Sequence, residues 1–152
     1  MRCINCFKTM TSLAMPAALQ TALQHTFAEL IISDGLCPQI AQLEAGALHE
    51  LLPVGICSNP LQLIGDALAL RRSQNRAAST LHLVAHGRRG GFQLGGQWID
   101  TATLIANAAV LADWRVQTVA LWSCEVGGDA NFIALLGELT GATVLSIPTA
   151  KP

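Results

Sequence analysis

What this sequence has least of is charge. Asp, Glu, Lys and Arg make up 12% of it, and nine basic against ten acidic residues leave a formal net charge of −1. Without a basic excess there is no electrostatic footprint for a phosphate backbone, so nucleic acid is not an expected partner. Long apolar runs are missing too: none approaches the roughly 20 residues of a membrane-spanning helix, so no membrane span is expected. The N-terminus starts slightly positive with Arg2 and Lys8, but residues 9–22 are interrupted by Thr, Ser, Pro and Gln and show no convincing cleavage site. Read from the chain alone, the protein is cytoplasmic, with export through another signal or a partner left open.

Regular cysteine spacing is also absent. Cys3, Cys6, Cys37, Cys57 and Cys124 form an odd set without a repeat, which argues against a disulfide framework and fits reduced thiols. Cys3 and Cys6 make a CxxC, but no second pair or nearby His completes the four ligands of a closed zinc site, so neither metal nor cofactor is expected. A GxSxG is lacking, against a serine hydrolase. The glycines of residues 88–96 fit neither GxGxxG nor a Walker loop, against a nucleotide-binding domain.

What is present is apolar. Half of the 152 residues are hydrophobic, and so few charges remain to cover a surface that central strands buried on both faces are implied. The length suits one domain with a continuous core. Residues 1–27 read as an N-terminal extension or added helix, with Pro16 at a first helical position and Leu19 and Leu23 on one face, and residues 28–152 as the domain proper. Residues 27–32 form the first strand, stopped by Ser33, Asp34 and Gly35. A helix follows over residues 38–48, then an edge strand over 51–56 that contains Pro53. Asn59 and Pro60 open a helix with Leu61, Ile64, Ala67 and Leu68 inward and a solvated basic end at Arg71, Arg72 and Arg76.

The next stretch organises the rest. Residues 81–85 (LHLVA) read as a buried strand that ends on His86 and Gly87 and breaks into a loop, with His82 on the face of Val84 and His86. Residues 92–94 and 97–99 flank Gly95 and Gly96 as a small hairpin. Asp100 caps a helix over 101–111 with Leu104, Ile105, Ala108 and Leu111 inward, and Trp114 packs at its end. A second buried strand, residues 119–122, ends on Ser123 and Cys124. After a glycine-rich turn, a helix from about Asp129 carries Phe132, Leu135, Leu136 and Leu139 on one face and stops at Gly141, and a last strand covers 143–147. Alternating strand and helix predict a parallel sheet covered on both faces.

In such a sheet ligands sit beyond the carboxyl ends of the strands, where His86 and Cys124 fall. A free thiol titrates near about 8.5 and needs a base or a positive environment to act as a nucleophile at neutral pH. His86 on the neighbouring strand supplies the base, and the helix from about Asp129 supplies a positive end. The backbone N–H groups of Gly87 and Cys124 are candidates for an oxyanion. Arg88 is a candidate to read an acidic substrate side chain and Glu125 a basic one, although both read more simply as solvated loop charges.

With these residues in place, the order of apolar strand, His-Gly, glycine-rich stretch, helix, apolar strand and Cys resembles the caspase-like cysteine peptidase clan of caspases, gingipains, legumain and separase. LHLVAHGRRGGFQLGGQWID, LWSCEVGG and LGELTGATVLSI resemble an uncharacterised bacterial family of caspase-like domains, members of which often stand near the start of large surface or adhesin-type proteins. The resemblance covers residues 81–147 well and 28–74 loosely, and Ser123 stands where that family usually has glycine. It implies a three-layer α/β/α sandwich with a mostly parallel caspase-like sheet of about four to five strands and a small β-hairpin after His86 and Gly87. It further implies a cysteine hydrolase with His86 as general base, Cys124 as nucleophile and Gly87 lending an oxyanion N–H, acting on a protein or peptide. The alternative is a catalytically inactive interaction or assembly module on the same fold.

Overall fold

A computed structural model describes residues 28–37 and 50–146 of the chain. Its centre is a five-stranded sheet in the order β2-β1-β3-β7-β8, every adjacent pair parallel. The strands are β1 (Glu29–Asp34), β2 (Glu50–Val54), β3 (Thr80–Val84), β7 (Thr118–Trp122) and β8 (Thr143–Ser146). β4 (His86–Arg88), β5 (Gly91–Leu94) and β6 (Gln97–Asp100) form a separate antiparallel sheet. The fold is therefore α/β, a mostly parallel sheet with a small hairpin sheet attached.

Period-two alternation divides the side chains of the main sheet between two faces. Leu30, Ile32, Leu81, Leu83, Val119 and Leu121 join one apolar cluster. All four described helices bury residues into it: α1 (Pro60–Ser73), α2 (Thr101–Ala106), α3 (Ala108–Ala112) and α4 (Ala130–Thr140). Ile31 and Val84 belong to the opposite face, with Cys37, Leu51 and Trp122. His82 shares that second face, as alternation predicts, and there its Nδ1 accepts from the Trp122 indole N–H at 3.1 Å. The helices expected over residues 16–25 and 38–48 lie outside the described residues.

Local chemistry accounts for the element ends. Asn59 caps α1 through the Gln62 N–H, with Pro60 at the first turn, and Asp100 caps α2 through the Thr103 N–H at 2.9 Å. Gly141 takes a left-handed φ of 69° and stops α4. Gly95 and Gly96, at φ 60° and 80°, make the two-residue turn between β5 and β6, where both central residues must be left-handed. Trp114 is buried after α3, its indole N–H donating to the Leu61 carbonyl.

Four sequence expectations need correction. Ser33 and Asp34 do not end β1 but continue it, because both pair in register with β2 and are buried. The chain after Ala85 is not a loop: His86, Gly87 and Arg88 form β4, antiparallel to β5, a strand too short and too polar to show apolar alternation. The helix expected over 101–111 breaks at Asn107, which follows α2 and precedes α3, and Ile105 is 59% exposed rather than inward. Arg71 is not solvated but 3% exposed, with its guanidinium on the Glu50 carboxylate. A charged residue at the end of an amphipathic helix reads as solvent-facing unless its partner, here on another element, is known.

Candidate functional site

β3 and β7 run side by side in register, Thr80 opposite Thr118 through Val84 opposite Trp122. The pairing extends one step further, the Ala85 N–H donating to the Trp122 carbonyl at 3.3 Å. Beyond it, the His86-Gly87 segment leaves one strand and Ser123-Cys124 leaves the other. Gly87 fixes how closely they meet: a Cβ there would overlap the Ser123 hydroxyl, lie 3.0 Å from Ser123 Cβ and lie 2.5 Å from the Cys124 carbonyl oxygen. Only glycine allows this approach of backbone to backbone. His86 and Cys124 thus follow adjacent parallel strands at their carboxyl ends, where open α/β sheets bind ligands.

His86 is half-buried as the first residue of β4, opposite Gln93. Burial holds its imidazole below the usual histidine range, because an imidazolium there is poorly solvated. A ring neutral at pH 7 can accept a proton. Cys124 is also half-buried, and in this structure it is disulfide-bonded, whereas Cys57 carries a free thiol. Irregular cysteine spacing does not show this bridge, since bridging depends on Cα atoms brought within about 7 Å by the fold. Thiol chemistry at Cys124 belongs to the reduced protein.

The remaining candidates lie around this pair. Arg88 stacks its guanidinium over the Trp98 ring, 4.0 Å from its centroid; the Asp100 carboxyl is held below its usual range first by the hydrogen bonds from Thr103, with the Arg88 charge acting in the same direction. That charge is engaged within the hairpin sheet. Glu125 is exposed directly after Cys124 in a left-handed conformation, φ 58°, and leads into a 3₁₀ turn, Val126–Gly128. A non-glycine residue in that conformation is uncommon, and here it turns the chain out of the sheet. The α4 N-terminus is not an open positive end, because the Asp129 carboxylate accepts from the Asn131 and Phe132 N–H groups at 3.0 and 3.1 Å.

Sequence reasoning missed Asp34 and the tight seat of Ser123. Asp34, at the carboxyl end of β1, is buried, and burial raises its carboxyl pKa although the Leu36 and Gly95 N–H groups donate to it. Its signal was an acid closing an apolar run, ELIISDG, read only as a stop. Ser123 is 2% exposed, and its hydroxyl has no hydrogen-bond partner among the described residues. No group of three or more His, Cys, Asp or Glu side chains among the described residues could hold a metal ion. Among these residues no helix is long and apolar enough to cross a membrane.

A family model described as "Domain of unknown function (DUF4347)" matches residues 30–149, spanning the sheet and both candidate residues. The chain belongs to this family. The DUF4347 match leaves the activity open, since the family is itself described as a domain of unknown function. No curated protein and no solved structure matches the chain.

Proposed function

We propose that this DUF4347 domain is, in its reduced form, a caspase-like cysteine hydrolase acting on a peptide or protein. The observation that carries the reading is the close approach of Gly87 to Ser123 and Cys124, which joins the His86 and Cys124 segments at the carboxyl ends of neighbouring strands. His86, kept neutral by burial, takes the thiol proton of Cys124. The thiolate attacks the scissile carbonyl carbon, the C–S bond forms and the carbonyl π pair moves to oxygen. Backbone N–H groups of Gly87 and Cys124 receive that oxyanion. Collapse expels the amine, which takes the proton back from His86, and water then cleaves the thioester.

A second reading, a non-catalytic interaction module, is favoured by one observation: Cys124 is disulfide-bonded. Placement near the start of a larger surface or adhesin-type protein, and residues 1–27 as an extension, belong to the proposal under either reading. The experiment is peptide-library digestion by the full chain under reductant, with Cys124→Ala and His86→Ala as controls. The hydrolase reading expects cleavage that both substitutions abolish. Absence of cleavage with the free Cys124 thiol verified by mass spectrometry favours the module.

A further inference from the structure

We infer that Ser123 is a positioning residue for the proposed hydrolase, setting the approach of Gly87 to Cys124; the inference rests on that reading. The Ser123 hydroxyl is buried without a hydrogen-bond partner among the described residues. A buried polar group in that condition costs stability and calls for an explanation. The space a Cβ on Gly87 would need is filled by the Ser123 side chain, its hydroxyl in outright overlap and its Cβ at 3.0 Å. Ser123 and Gly87 are therefore complementary in volume, one side chain occupying what the other lacks.

The consequence is chemical because of what lies on either side. Gly87 follows the proposed base and offers a proposed oxyanion N–H, and Ser123 precedes the proposed nucleophile. A change in the volume of residue 123 alters how the two segments approach. Acyl transfer, which needs donors aligned on a developing oxyanion, is sensitive to displacements of a fraction of an ångström. Simple alkylation of a thiolate forms no oxyanion and responds only to the proton equilibrium of the thiol and its access.

The test compares two probes on the reduced full chain. With p-nitrophenyl acetate, the Cys124 thiolate adds to the carbonyl carbon, its thiol proton having passed to His86. The tetrahedral oxyanion then collapses, the C–O bond breaks and p-nitrophenolate leaves an acetyl thioester. With iodoacetamide, the C–S bond forms as iodide leaves. Ser123→Ala and Ser123→Gly are expected to lower the ratio of acylation to alkylation at Cys124 about tenfold, while Ser123→Ala folds at least as stably as the unsubstituted protein because it removes an unpaired hydroxyl. In a Gly87→Ala background, Ser123→Gly is expected to restore part of the lost ratio, since the added methyl group occupies the vacated space. An unchanged ratio in both single variants, with wild-type Cys124 outpacing Cys57 toward both probes, would overturn the positioning role and leave the dyad standing. If wild-type Cys124 does not outpace Cys57, the dyad fails and the positioning role with it.

Discussion

Gly87 and Cys124 are locked at the distance of a missing side chain: a Cβ on residue 87 would stand 2.5 Å from the Cys124 carbonyl oxygen. Because backbone rather than a flexible side chain lies in the way, Gly87→Ala forces the ends of β3 and β7 apart. Overpacking of this kind costs about 1–3 kcal/mol. Urea denaturation should show a lower midpoint and a loss of unfolding free energy of about that size, with slower acylation of reduced Cys124.

Burial depresses the folded-state pKa of His86 below its ordinary 6.5. A group depressed on folding contributes stability that is present above its unfolded pKa and is lost as pH falls through the folded one. Stability should therefore decline as pH drops below about 6.5, and His86→Gln should flatten that part of the profile. NMR titration of the imidazole should give a midpoint below that of an exposed histidine.

Asp34 has the opposite sign. Burial raises its folded-state pKa above 3.8, so its contribution is present below the unfolded pKa and is lost as pH rises through the folded value. Asp34→Asn, which keeps an acceptor for the Leu36 N–H, should remove this loss. Stability of the two proteins measured from pH 3 to 7 by urea denaturation checks it, with the difference growing in favour of the variant as pH rises.

The Arg71 guanidinium reaches Glu50 across the sheet edge, and Arg76 reaches the same carboxylate at 3.0 Å. Arg71 is buried and Arg76 is one-third exposed, so the two should not weigh equally. Arg71→Ala is expected to cost about 2–4 kcal/mol through lost stem packing and the broken pair. Arg76→Ala should cost under about 1 kcal/mol. Equal losses in thermal denaturation would contradict the burial argument.

The parallel strands were legible because their residues are apolar on both faces, and α1 and α4 because Asn59, Pro60, Asp129 and Gly141 mark their ends. That His86 and Cys124 follow strands at their carboxyl ends could be read from sequence because each comes directly after an apolar run. What stayed hidden depended on contacts between distant segments. β4 has no apolar alternation and exists because β5 pairs with it. Arg71 needed Glu50 to be buried, and the positive end expected at α4 is covered by its own cap, Asp129. No spacing rule reports that Ser123 would fill the space above Gly87.

The central claim is that His86 activates Cys124. Site-resolved alkylation of the reduced full chain against pH, read by mass spectrometry with Cys37 and Cys57 as internal references, tests it most directly. The account predicts that Cys124 reacts fast at pH values where an ordinary thiol, titrating near about 8.5, is still protonated, and that His86→Ala shifts its profile up toward that range. A Cys124 that reacts like Cys57 at every pH, unmoved by His86→Ala, would contradict the hydrolase and leave the fold to serve as an interaction module.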